Sequence, residues 1–159
     1  FVCLLANTFL AGYYLRNDLK VALGLETRGG YLTRTERSYG IASYVNQTLP
    51  KEAKILSQEI RAFYFQRDLI SYGRTFKRLE NYEELSDERA LRLLKEKGFT
   101  HILLLDWNQG TAAKPLPGEK LLALVNDPRM GKKHFQKVHE MEFKDPSGPV
   151  ASYTLLRIK

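Results

Sequence analysis

Apolar positions Ile41, Tyr44, Val45 and Leu49 recur at helical spacing, and Pro50 closes the run, so the pattern predicts a helix over 38–48. The stretch 53–57 (AKILS) reads as a short strand, and 68–72 (DLISY) as a second. Between them, 60–65 (IRAFYF) suits one helical turn or more strand. Ser86 or Asp87 can cap a helix whose Ala90, Leu91 and Leu94 face inward, and Gly98 stands where a left-handed C-terminal cap belongs. The continuous apolar run 100–105 (THILLL) suits a strand covered on both faces. Two prolines and two glycines make 107–118 a loop, 120–126 a short helix follows, and 127–133 is turn-rich and basic. Strands over 134–143 and 150–158, separated by DPSGP, form a hairpin. Upstream, 16–38 is charged, with a short helix near 18–24 and then a loop through Gly29-Gly30.

Strands alternating with helices imply an α/β fold: a small three-layer, mainly parallel sheet with flanking helices and a C-terminal antiparallel hairpin. Residues 1–15 (FVCLLANTFLAGYYL) stand apart, with 12 of 15 apolar and no charge before Arg16. Tyr13 and Tyr14 ahead of Arg16 and Lys20 look like an interfacial exit from a bilayer. The chain starts on Phe1, so this stretch is expected to be the end of a longer transmembrane helix. The expected organisation is 1–15 transmembrane, 16–37 juxtamembrane connector and 38–159 an extracytoplasmic α/β domain.

Composition narrows the chemistry. The chain has 159 residues, enough for one domain with its own core. Cys3 is the lone cysteine, so no internal disulfide frames the fold. Lysines and arginines number 25 against 18 acidic residues, a formal +7 that favours anionic partners. A nucleotide would be held at the loop after the first strand, where glycines let backbone approach phosphate. That loop is Ser57-Gln58-Glu59-Ile60-Arg61, without glycine and with a repelling Glu59. No P-loop or dinucleotide fingerprint occurs elsewhere. His101, His134 and His139 lack companion ligands, so no metal site or cofactor is expected.

The remaining candidates are arginines and one strand end. Arg28, Arg34 and Arg37 cluster near the apolar N-terminus. Arg61 and Arg67 flank Phe63-Tyr64-Phe65. Arg61 and Tyr64 follow the first strand, where an arginine fork and a phenol suit a phosphate. Asp106 ends the third strand, a position where α/β sheets often place function. Lys132, Lys133 and Lys137 read as solvated surface, and no nucleic-acid motif accompanies the basic residues, so no nucleic acid is expected as a partner. Asn46-Gln47-Thr48 matches a glycosylation triplet, a pattern common by chance.

Several stretches in order resemble the C-terminal soluble part of bacterial polytopic glycosyltransferases of the glycosyltransferase C superfamily, of the dolichyl-phosphate-mannose–protein mannosyltransferase-like and aminoarabinose-transferase-like kinds. They are Tyr31-Leu32, a helix from Tyr39 to Asn46, an Asn-x-x-Leu-Pro step from Asn46 to Leu56, and Arg61, Tyr64 and Arg67 as R-x-x-Y-x-x-R. Leu94 to Leu104 and a closing strand from Tyr153 to Ile158 complete the series. The resemblance implies an integral-membrane enzyme moving a sugar from a polyprenyl-phosphate donor to a lipid, glycan or protein, with its catalytic acid upstream of this chain. No residue here is then catalytic. This domain would lie on the periplasmic side of the bacterial cytoplasmic membrane and shape the acceptor or donor entrance. Its partners would be membrane lipids, the polyprenyl-phosphate-linked sugar donor and the acceptor. Arg28, Arg34 and Arg37 would contact lipid phosphates, each worth about 1 kcal/mol near an anionic surface. The competing readings are a soluble α/β enzyme or nucleotide-binding protein and, behind it, a basic nucleic-acid-binding module.

Overall fold

The computed structural model describes residue 12 and residues 18–59, 61–76, 81–108, 119–144 and 150–159. Apart from residue 12, the expected transmembrane segment 1–15 lies outside them, as does most of the expected loop 107–118. The chain divides into two compact units, 1–36 and 37–159.

In the first unit, residues 18–22 are helical, and a second helix, α1 (Arg28–Thr35), replaces the expected loop. Two glycines inside a helix cost roughly 1 kcal/mol each relative to alanine, which is why the pattern predicts a loop. Local bonds oppose that cost. Thr27 caps α1 by accepting from the Gly30 amide at 3.1 Å. Arg34 forks onto Glu26, Nη2 to Oε2 at 2.9 Å and Nε to Oε1 at 3.3 Å, and its guanidinium lies 5.6 Å from the Tyr31 ring centroid. The Tyr31 hydroxyl donates to Asp18 at 2.7 Å.

The second unit is a three-layer α/β domain. Its elements are α2 (Arg37–Thr48), β1 (Lys54–Ser57), a 3-10 turn (Ala62–Tyr64), β2 (Asp68–Ser71), a π-helical turn (Tyr72–Phe76) and a second 3-10 turn (Tyr82–Glu84). Then come α3 (Asp87–Glu96), β3 (His101–Asn108), α4 (Glu119–Asn126), a short α5 (Gly131–His134), β4 (Phe135–Lys144) and β5 (Val150–Ile158). The strand order is β2-β1-β3-β5-β4. β2, β1 and β3 run parallel, while β5 pairs antiparallel with both β3 and β4. The hairpin therefore joins the sheet through its second strand and leaves β4 at the edge.

The period of two along the strands sends alternate residues to opposite cores. Ile55, Leu103, Leu105, Tyr153 and Leu155 meet Ile41, Ala42 and Val45 of α2 and Leu49 just after it. Leu56, Ile102, Leu104 and Leu156 meet Ala90, Leu91 and Leu94 of α3 and Leu121 and Leu124 of α4. Two such faces explain why β1 and β3 read as unbroken apolar runs. Ser86 caps α3, and Gly98, at φ +76°, turns the chain from α3 into β3, as the sequence predicts. Asp127 accepts from the amides of Arg129 and Met130, and so folds the turn ahead of α5. Gly131 packs so closely that a Cβ there would run into the Val125 carbonyl.

Candidate functional site

At the carboxyl ends of the parallel strands, β1 runs out at Ser57 into Gln58 and Glu59. Gln58 prolongs the pairing with β3: its amide donates to the Leu103 carbonyl at 3.1 Å, and its Oε1 accepts from the Leu105 amide at 2.9 Å. Glu59 is 0% exposed. A carboxylate so placed needs partners, because desolvating an unpaired charge is prohibitive. It has several. The Tyr153 hydroxyl donates to Oε2 at 2.7 Å, the Arg61 amide donates to Oε1 at 3.0 Å, and Arg37 Nε lies 3.5 Å from Oε2. The Glu59 amide in turn donates to Ser57 Oγ at 2.9 Å. Burial, then the hydrogen bond and charge of Glu59, push the Tyr153 phenol well above its ordinary range, so Tyr153 stays a donor.

Two of the arginines expected to read phosphate thus meet at a carboxylate, Arg37 by its side chain and Arg61 by its backbone. Arg61 begins the 3-10 turn that carries Tyr64. The Tyr64 ring packs edge-on against Tyr39 of α2, with centroids 5.4 Å apart. Arg67 closes the end of α2: Nη2 donates to the carbonyls of Asn46 at 2.7 Å and Leu49 at 2.8 Å, and Nε also donates to Leu49 at 3.1 Å. These carbonyls belong to the last turn, which lacks intrahelical donors. Asn46 completes the joint, giving Nδ2–H to the Tyr64 carbonyl at 2.9 Å and accepting from the Gln66 amide at 2.7 Å. Arg28 is exposed at the start of α1, and Arg34 is committed to Glu26 within the same unit. Asp106 is exposed on β3, opposite Ser152 of β5.

The structure places a buried carboxylate and a phenol among the arginines that the sequence singles out after β1. Glu59 entered the reading only as a charge that would repel phosphate, and Tyr153 only as part of a closing strand. A lone carboxylate next to a buried strand, with arginines on both sides in sequence, was the available signal.

The histidines do not converge. His101 is buried on β3, His134 ends α5, and His139 of β4 stacks on Tyr44 of α2 with centroids 3.7 Å apart. Among the described residues no three His, Cys, Asp or Glu side chains gather as metal ligands.

A cavity of about 900 Å³ opens at the other end of the sheet, where β1 and β3 begin. Its walls come from the end of α2, the α3–β3 turn and the adjoining ends of β4 and β5, and include Leu49, Phe99, His101, Val138 and Arg157. This is not where open parallel sheets usually hold ligands. The carboxyl end is the conventional place, but its central carboxylate and phenol are already bonded to one another.

Among the described residues no helix is long and apolar enough to cross a membrane. No family model matches the chain, and comparisons with curated proteins and with solved structures find no match.

Proposed function

We propose that the chain is a non-catalytic, extracytoplasmic domain of an integral-membrane glycosyltransferase that uses a polyprenyl-phosphate sugar donor. The observation that carries the reading is the joint between α2 and the 61–67 segment. Asn46 belongs to one stretch of the sequence resemblance and Tyr64 and Arg67 to another, and the Asn46 and Arg67 side chains bond across that joint. That joint ties the two stretches into one architecture, a three-layer α/β domain. The buried Glu59 supports the choice over a nucleotide-binding protein, because it occupies the strand end where a nucleotide phosphate would sit.

In this reading the first unit lies next to the membrane. Arg28, exposed and at its surface, is the arginine that meets lipid phosphates. Arg34 shares its charge with Glu26 and contributes less. Arg61 and Tyr64 shape the rim over the membrane-level active site.

The test is made on the native gene product. Source cells are fractionated and probed with an antibody to residues 80–159. A carbonate-resistant membrane band several times larger than 18.3 kDa is expected. A soluble band near that mass overturns the reading. In the full-length enzyme, Arg61→Ala and Tyr64→Ala are expected to lower sugar transfer without unfolding the domain, and wild-type turnover in both removes their role.

A further inference from the structure

The cavity at the amino end of the parallel strands has its own chemistry. Arg157 of β5 stands directly opposite His101 of β3 on one side and Gln136 of β4 on the other. Directly opposed strand residues lie about 5 Å apart and point to the same face, so the three form one row across the cavity wall. Four cations line the cavity, Lys95, Lys137, Arg157 and Lys159, against the single carboxylate of Glu52. Lys137 is bonded to Glu140, and Lys159 to the Lys132 carbonyl. Among the described residues, no hydrogen bond or ion pair engages the Arg157 or Lys95 side chain.

Two helices end here, and helix C-termini ordinarily repel anions. Both ends are covered. Arg67 takes the Leu49 carbonyl after α2, and Lys54 Nζ takes the Lys97 carbonyl after α3 at 3.0 Å. Leu49, Pro50, Ala53, Phe99, Val138 and Ile158 give the wall its apolar part, beside the neutral polar Thr48, Thr100 and Gln136. A bulge between Lys137 and His139 leaves Val138 without a partner on β5 and 37% exposed at the cavity. A concave, largely apolar space of this size with a few convergent polar groups is the usual form of a small-molecule site.

We propose that this cavity binds an organic phosphate carrying an apolar arm, with the phosphate on the Arg157 fork and Lys95 nearby, and the arm along Leu49, Pro50 and Val138. The planar guanidinium suits two phosphate oxygens at once. The cavity's chemistry does not depend on a membrane role, and the phosphate can belong to a lipid headgroup or to a soluble metabolite.

The experiment titrates n-hexyl phosphate into chain 1–159 and follows ring resonances of His101, which lies beside Arg157 and is only 6% exposed. Saturable shifts at His101 are expected. Inorganic phosphate and 1-hexanol are each expected to bind at least about tenfold more weakly, since each lacks half of the recognition. Arg157→Gln is expected to weaken hexyl phosphate about tenfold or more, the range of a charge-assisted bond. Val138→Glu, which leaves the cations in place but puts a negative charge at the mouth, is expected to weaken it as well. Unchanged affinity in both variants overturns the proposal, as does equal binding of hexanol, or shifts spread over surface lysines with none at His101. Vesicles containing phosphatidylglycerol separate the two sources. Co-sedimentation that Arg157→Gln abolishes identifies a lipid headgroup. Binding of hexyl phosphate without co-sedimentation identifies a soluble ligand.

Discussion

The two ends of the sheet treat charge in opposite ways. At the carboxyl end, Glu59 is fully buried and its oxygens are matched to a phenol, a backbone amide and an arginine. At the amino end, Arg157 and Lys95 face a cavity. The first arrangement spends its charges on holding the chain together. The second leaves charge available at little structural cost. Position relative to the parallel strands is therefore a poor guide to function in this sheet, and the state of the charged groups is a better one.

The largest effect is expected at Glu59. Glu59→Ala leaves Arg37 and the Tyr153 hydroxyl facing a hole, and should cost about 3–5 kcal/mol in urea unfolding, as breaking a buried ionic network does. A loss under 1 kcal/mol would mean that the carboxylate is not structural, and the contrast between the two ends would collapse. Next comes the joint at α2: Arg67→Ala should cost about 1–3 kcal/mol, because it strips the donors from two helix-end carbonyls. Tyr153→Phe removes only one hydrogen bond while keeping the ring in the core, and should cost about 1–2 kcal/mol. At the other end, Arg157→Gln should leave stability within about 0.5 kcal/mol, as an exposed residue without a bonded partner does.

The pH response sharpens the same contrast. Burial, and then the charge of Arg157, lower the His101 pKa from its usual 6.5. The unfolded chain therefore takes up a proton at a higher pH than the folded one. Above about pH 6.5 His101 is neutral in both states and contributes nothing, and as pH falls below that value it draws the equilibrium toward unfolding. His101→Gln should flatten this part of the stability profile, measured by urea unfolding between pH 7.5 and 5. An unchanged slope would show that His101 is hydrated at the cavity wall.

Most of the fold was legible because its strongest signals are local. The period of α2, the Ser86 cap, the αL turn at Gly98 and the unbroken run of β3 each act within a few residues. α1 was not, because Gly29 and Gly30 speak against a helix while the bonds that favour it, Arg34 to Glu26 and Tyr31 to Asp18, join residues 8 and 13 apart. The buried carboxylate cluster was not legible, because Glu59 and Tyr153 are 94 residues apart, and only the pairing of β3 with β5 brings them together. Arg67 was legible only as part of a spacing: that its guanidinium caps α2 depends on contacts with residues 18 and 21 positions earlier. The amino-end cavity draws on four separate stretches, none with a motif of its own.

The edges of the sheet bear on how the molecule behaves in a crowded solution. An open strand invites another chain to hydrogen-bond alongside it, the first step toward aggregates. Here β2 offers only four residues, and β4, though ten residues long, is interrupted by the bulge at Val138 and carries Lys137, Glu140, Glu142 and Lys144. A neighbouring strand would lose register at the bulge and meet charge on both sides of it. The kink that opens the cavity to Val138 thus also serves as a guard against fibrous assembly.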